Sequence, residues 1–182
     1  VHYPFFDPYF LTLPWRYPLP TLITIHDLIP LKYPTHFPAG LRGRLKWEIQ
    51  KMRARASAGV ITDSLSSATD IQEILKIKKN QIHVIPLASA TSRTAMSLAP
   101  KIKKLYHLPD RYILYVGDVN WNKNIPGLID AFAKLDTSST HLVLVGKVFA
   151  DKPDIPEFKV VLETIEKSGK SELIHLIGYV PS

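Results

Sequence analysis

Six short runs of β-branched, aliphatic and aromatic residues constrain this chain more than any other feature. They lie at 21–25 (TLITI), 59–62 (GVIT), 82–85 (IHVI), 112–116 (YILYV), 141–145 (HLVLV) and 173–177 (LIHLI), and each gives way to glycine, proline or a polar pair. Runs this short and this apolar read as buried strands. Helical period fills the gaps between them. Leu41, Leu45, Ile49, Met52 and Ala56 predict a helix over 41–58 with one narrow apolar stripe, and Ser66 or Ser67 caps a second helix to about Lys76. Ile125, Leu128, Ile129, Phe132 and Leu135 mark a third helix; Phe158, Val161, Leu162 and Ile165 mark a fourth over 157–168. The order is βαβαβ, a Ser/Thr/Ala-rich stretch without period, then βαβαβ again. Such alternation implies parallel sheets with right-handed crossovers. The fold class is therefore α/β, as two Rossmann-like halves: 1–86 and 110–182, joined by a linker at 87–109 with a short basic helix near 100–106. The chain opens at Val1 in an aromatic loop and closes at Pro181-Ser182, where the serine has the form of a helix cap. Both halves are accordingly expected to be incomplete pieces of a longer reading frame.

Residues 112–124 (YILYVGDVNWNKN) carry the most local information. A strand stops at Gly117, a polar hairpin-like loop follows, and Asn124 caps the next helix with Pro126 in its first turn. A helix start beyond a strand offers backbone N–H groups and a positive dipole end, and Lys123 adds a formal charge, which together suit a phosphate. The loop holds one glycine, so neither the dinucleotide fingerprint nor a Walker loop is present. An ordinary βα connection accounts for these residues as well as an anion site does.

Parallel α/β sheets bind ligands beyond the carboxyl ends of their strands. Those ends carry His26-Asp27, Asp63-Ser64, Gly117–Lys123, Gly146-Lys147 and Gly178-Tyr179. His26 stands out, since an imidazole donates or accepts a hydrogen bond near neutral pH; a strand-end role bonded to Asp27 or a backbone carbonyl is the alternative. The other six histidines show no metal-ligand spacing, and His83, His141 and His175 fall in strand patterns, so no metal site is implied. There is no G-x-S-x-G elbow and no D-x-D pair.

Residues 1–20 hold five prolines among seven aromatic residues, which forbids regular helix or central strand there. The helix at 41–58 carries six cations against Glu48 alone, a net +5, and the whole chain is +7. That balance points to an anionic partner: nucleotide, phospholipid surface or nucleic acid. Docking of the basic helix on an anionic membrane would gain about 1 kcal/mol per cation; a solvated charged face is the plainer alternative. Nucleic acid is disfavoured because the helix lacks interleaved aromatics and a reader motif. The absence of cysteine excludes disulfides and thiol chemistry and fits a reducing compartment. No apolar run approaches the ~18–20 residues that span a bilayer, and the start lacks a signal-peptide pattern.

The segments TIHDLIPLKYP (24–34), VITDSLSSATDI (60–71), IHVIPLA (82–88), YILYVGDVNWNKNIPGLIDAFAKL (112–135), HLVLVGK (141–147) and LIGYVPS (176–182) together resemble the retaining GT-B glycosyltransferases of group 1, also called family 4. The resemblance implies transfer of a hexose from a nucleotide-sugar donor to a saccharide or lipid-linked acceptor, with retention, without metal or other cofactor. It implies a donor held mainly by the second half and a cytoplasmic enzyme, peripheral on the inner face of a membrane, in surface polysaccharide or glycolipid assembly. His26 matches the family's "HD" histidine near the transferred sugar, with Asp27 and Ser64 on the same acceptor side. Lys123 matches the lysine that stabilises the departing diphosphate, and Gly117 the glycine that lets backbone approach it. Asp118, Asn120, Asn124 and Gly146 complete the donor side. Asp118 stands where many members carry arginine, so one cationic contact is lost or replaced. The family's E-x7-E motif would lie beyond Ser182. A non-catalytic module binding a nucleotide or an anionic surface is the alternative function.

Overall fold

The computed structural model describes residues 1–88, 99–136 and 139–180. The chain divides into two compact units, Val1–Ala90 and Thr91–Ser182. Within the 87–109 segment, residues 89–98 lie outside the described residues.

In the first unit, β1 (His2–Tyr3), β2 (Leu22–Thr24), β3 (Gly59–Thr62) and β4 (Ile82–Val84) form one parallel sheet in that spatial order. β1 is two residues at the sheet's edge, the place a proline-rich segment permits. The helices are α1 (Ile29–Lys32), α2 (Leu41–Arg55) and α3 (Leu65–Leu75). Ile23, Ile25, Leu28, Val60, Ile71 and Leu75 are fully buried and form the core. The cap of α3 is Ser64, whose Oγ accepts from Ser67 N at 3.1 Å, rather than Ser66 or Ser67. Ser64 holds the extended backbone that a cap requires, so the helix starts earlier than its apolar period suggests.

α2 corrects the sequence expectation more deeply. Its predicted stripe faces water: Leu41 is 85% exposed, Leu45 68% and Met52 50%. The buried side is Gln50 and Ala54, with Trp47 partly buried against the core. The reason is the twenty residues before β2. Beyond the two residues of β1 their prolines prevent a ladder, so the backbone groups that follow need partners from elsewhere. Gln50 supplies them: its Nε2 donates to Asp7 O at 3.1 Å and Thr12 Oγ1 at 2.6 Å, and its Oε1 accepts from Leu13 N at 3.3 Å. Arg53 Nε donates to Pro14 O at 2.9 Å, and its guanidinium lies 4.7 Å from the centre of the Tyr17 ring. A mixed inner face is the result, Gln50 beside Ala54 and Trp47, while Leu41, Leu45 and Met52 turn outward. The aromatics of the same segment divide, with Phe6 buried and Phe5, Phe10 and Trp15 more than half exposed.

In the second unit, β5 (Tyr112–Val116), β6 (His141–Val145) and β7 (Ile174–Ile177) form a second parallel sheet, in that spatial order. α4 (Ala99–Leu105) precedes them, α5 (Ile125–Ala133) follows β5, and α6 (Lys147–Asp151) and α7 (Pro156–Lys167) follow β6. Ile125, Ile129 and Phe132 of α5 and Phe158, Val161 and Ile165 of α7 are buried against Leu142 and Leu144 of β6. β5, expected to be buried, is an edge among the described residues. It pairs with β6 alone, and Leu114 and Val116 are more than half exposed. No helix among the described residues is long and apolar enough to cross a membrane.

His141 and His175 stand on adjacent strands with Nδ1 and Nε2 2.8 Å apart. Burial, and then the charge of His141, hold His175 below the usual histidine pKa. A depressed folded pKa favours the neutral ring in the native state. Its stabilisation is therefore complete above about pH 6.5, the unfolded value, and is lost as pH falls below it toward the folded pKa. The second unit's thermal midpoint should accordingly fall between pH 7.5 and pH 5, and His175→Gln should flatten that slope. An equal slope in the variant would assign the acid sensitivity elsewhere.

Candidate functional site

Each unit presents one polar constellation at the carboxyl ends of its strands. In the first, the β2–β3 register sets Thr24 opposite Ile61, and Ile25 N continues it with a 2.9 Å bond to Ile61 O. Two places further on, His26 falls opposite Asp63. Their side chains meet, with His26 Nδ1 2.6 Å from Asp63 Oδ2. An ionised carboxylate only accepts, so Nδ1 carries the proton and Nε2 of the neutral ring is left with an open lone pair. The imidazole is about half exposed and Asp63 about a quarter, so this is an oriented side chain at the surface.

Asp27 does not share in the pair. Its Oδ1 accepts from Ile29 N at 3.0 Å and fixes the turn into α1. The Ser64 hydroxyl is spent on the α3 cap. Just beneath, the Thr62 hydroxyl is buried without a partner among the described residues. The sequence reading placed Asp63 at a strand end but not as the partner of His26; the signal for that role is the strand register, invisible without the pairing.

In the second unit, β5 leads through Gly117 into a loop whose anchor is Val119, buried in the core at 4% exposure. Tyr115 Oη donates to Asp118 O at 2.7 Å and props the loop from the strand side. Burial, and next the Asp118 carboxylate, raise the phenol's pKa. A single 3₁₀ turn, Trp121–Lys123, replaces the expected hairpin-like loop. Asn124 then takes a left-handed backbone, φ 47°, and its Oδ1 caps α5 by accepting from Gly127 N at 3.3 Å. Pro126 has no N–H and that of Gly127 is engaged, so anion-binding capacity rests more on Lys123 than on the helix start. Lys123 is exposed and enters no ion pair among the described residues. Asp118 and Asn120 are exposed on the same loop. A cavity of about 240 Å³ flanks it, but Glu157 lines that cavity, which makes it a poor phosphate site.

Gly146 ties the loop to the next strand end. A Cβ there would stand 2.2 Å from the carbonyl oxygen of Gly117, a backbone atom held by the bond from Gly117 N to Val145 O. Gly146→Ala should therefore cost about 1–3 kcal/mol and displace the loop start. Urea unfolding and the amide shifts of Gly117 and Val119 check this; an unchanged midpoint would mean the loop yields freely. Among the described residues, no group of three or more His, Cys, Asp or Glu could hold a metal ion.

Residues 1–93 match the family model described as Glycosyltransferase Family 4, and residues 99–182 match Glycosyl transferases group 1. None of the curated proteins gives a significant match. Among solved structures, the chain is similar to sucrose-phosphate synthase from Thermosynechococcus elongatus, with 20% identity over 91% of this chain and a TM-score of 0.66. It is also similar to Anabaena Alr3699/HepE in complex with UDP-glucose, at 19% identity, 89% coverage and a TM-score of 0.61. A glycosyltransferase from Rickettsia africae ESF-5 follows at 17%, 88% and 0.56. At these identities the likeness concerns the fold, which is the GT-B type. The chain spans only 41%, 42% and 40% of those three proteins.

Proposed function

Because this chain belongs to glycosyltransferase family 4, with a second half of the group 1 type, we propose that it serves hexose transfer from a nucleotide-sugar donor to a saccharide or lipid-linked acceptor. In that transfer the anomeric C–O bond to the diphosphate breaks and one to the acceptor hydroxyl oxygen forms. The nucleoside diphosphate departs with the hydroxyl's proton. Lys123 is the observation that carries the proposal. A cation on a strand-end loop, with no ion pair among the described residues, suits the charge that grows on a leaving diphosphate, and such electrostatic stabilisation is a large share of catalysis. The approach of Gly117 to Gly146 keeps the neighbouring backbone bare of side chains, and Asn120 and Asn124 offer amides beside it.

The open Nε2 of His26 suits a hydrogen bond to a hydroxyl of the sugar in transit or of the acceptor, with Asp27 and Ser64 shaping the ground around it. We assign the transfer retention and independence from metal. Its support is the family resemblance, together with a lysine where a metal-dependent site would need carboxylates. HepE has been captured with UDP-glucose and with UDP, which makes a uridine donor the first to try. We further assign the protein to the cytoplasmic side of a membrane, held peripherally by α2. Exposed Leu41, Leu45 and Met52 among the helix's cations favour this.

A thermal-shift series with UDP-, GDP- and ADP-sugars tests the proposal. A ligand at one hundred times its Kd stabilises by about 2.7 kcal/mol, so one sugar nucleotide should raise the midpoint clearly. No response to any of them, alongside salt-sensitive DNA binding, would replace the transferase with a nucleic-acid binder.

A further inference from the structure

Resting on the acceptor-side assignment of the first unit, we propose that a hollow of that unit is a subsite for a sugar ring carrying a phosphate or a carboxylate. The hollow, about 260 Å³, lies between the segment after β2 and the start of α2, and is lined by Tyr9, Leu31, Pro34, Pro38, Arg44 and Trp47. Leu31 follows His26 by five residues, a chain distance of at most about 18 Å.

The walls are built rather than incidental. Tyr9 Oη donates to Pro30 O at 3.2 Å, which fastens one wall to α1. The Tyr9 ring packs over the first turn of α2, its Cδ1 at ordinary contact distance, 3.7 Å, from a Cβ added at Gly43. Burial and then Asp7 raise the Tyr9 phenol's pKa while Arg44 lowers it, which places the guanidinium's field on this wall. Asp7 itself does not line the hollow, and its Oδ1 is occupied, accepting from Tyr9 N at 2.7 Å and Phe10 N at 3.1 Å. Among the described residues, no carboxylate lines the space. Arg44 enters no ion pair among the described residues. The first turn of α2 carries no acid to offset it.

Two kinds of wall define the occupant. Aromatic and proline surfaces suit the C–H face of a sugar ring. A guanidinium with no ion pair among the described residues suits the two oxygens of a phosphate or carboxylate. A neutral sugar leaves the cation unmatched, and a bare phosphate leaves the aromatic walls unused. A ring bearing an anion satisfies both.

Isothermal titration of the full chain with glucose 1-phosphate, glucuronate, glucose and inorganic phosphate tests this. The two anionic sugars should bind about tenfold more tightly than glucose or phosphate. Arg44→Gln should abolish that preference, Trp47→Phe should weaken both anionic sugars, and Lys123→Ala should leave them unchanged. Equal binding of glucose, or an Arg44→Gln protein with the preference intact, overturns the subsite; so does loss of binding in Lys123→Ala, which would move the ligand to the β5–α5 loop. The nucleotide-sugar thermal shift is read in parallel. Anionic-sugar binding without any nucleotide response would keep the subsite and discard the transferase, and the opposite result would discard only the subsite.

Discussion

His26→Ala in the full-length protein is expected to lower turnover by about 10²–10³-fold while leaving donor affinity nearly unchanged. The expectation rests on what the pair with Asp63 does to the ring. With Nδ1 bonded at 2.6 Å to a carboxylate, the imidazole has a fixed orientation and one free nitrogen. Asp63→Asn replaces an acceptor with a group that also donates, so the ring loses its enforced tautomer. It should cost about 10–100-fold in turnover, the scale seen for lost orienting partners of metal-bound histidines. In the double variant His26→Ala/Asp63→Asn the second change should add almost nothing, because its effect passes through the ring. Additive losses would show that Asp63 acts independently. An unchanged turnover in His26→Ala would take the histidine out of the chemistry.

Lys123→Ala should abolish the thermal shift by nucleotide-sugars and lower kcat by about 10²-fold or more. Lys123→Arg should recover part of the binding, since charge is kept while the planar fork differs from an ammonium. Binding should also weaken with salt in the wild type and lose that dependence in Lys123→Ala. A shift that survives the alanine variant would locate the diphosphate elsewhere. Asp118, exposed five residues earlier, makes a second check: Asp118→Asn should tighten the donor, because a carboxylate there opposes the phosphates.

Where the sequence spoke clearly, it did so through period. α5 and α7 bury Ile125, Ile129, Phe132, Phe158, Val161 and Ile165 of their predicted stripes, whereas Leu135, beyond the end of α5, and Leu162 are exposed; β6 occupies the run HLVLV from end to end. The α/β class and the separation into two sheets followed from the same alternation. α2 shows where period misleads. Its inner face was chosen by carbonyls and amides of residues 7–14, some forty positions away, and Gln50 answers them better than Leu45 could. β5 misled in another way, since a run of apolar residues says nothing about how many neighbours a strand finds. α6, five residues long, is too short to show a period.

The candidate site was legible as a set of strand ends, which is where the sequence reading placed both His26 and Lys123. Asn124 was read as the α5 cap, which the bond to Gly127 N bears out. The partner of His26 was not legible, because adjacency along the chain favours Asp27 while adjacency across the sheet selects Asp63. Nor was Val119, an apolar residue in a polar loop, whose burial holds that loop to the core.

The histidine–carboxylate contact is in effect a vernier scale, read off by two strands sliding past each other. Ile23 and Val60 lock that scale, since a shift of one place would expel both from the interior at about 1.5–3 kcal/mol each. Distant trimming of these two side chains should therefore register first as a blurred imidazole, before any melting is detectable.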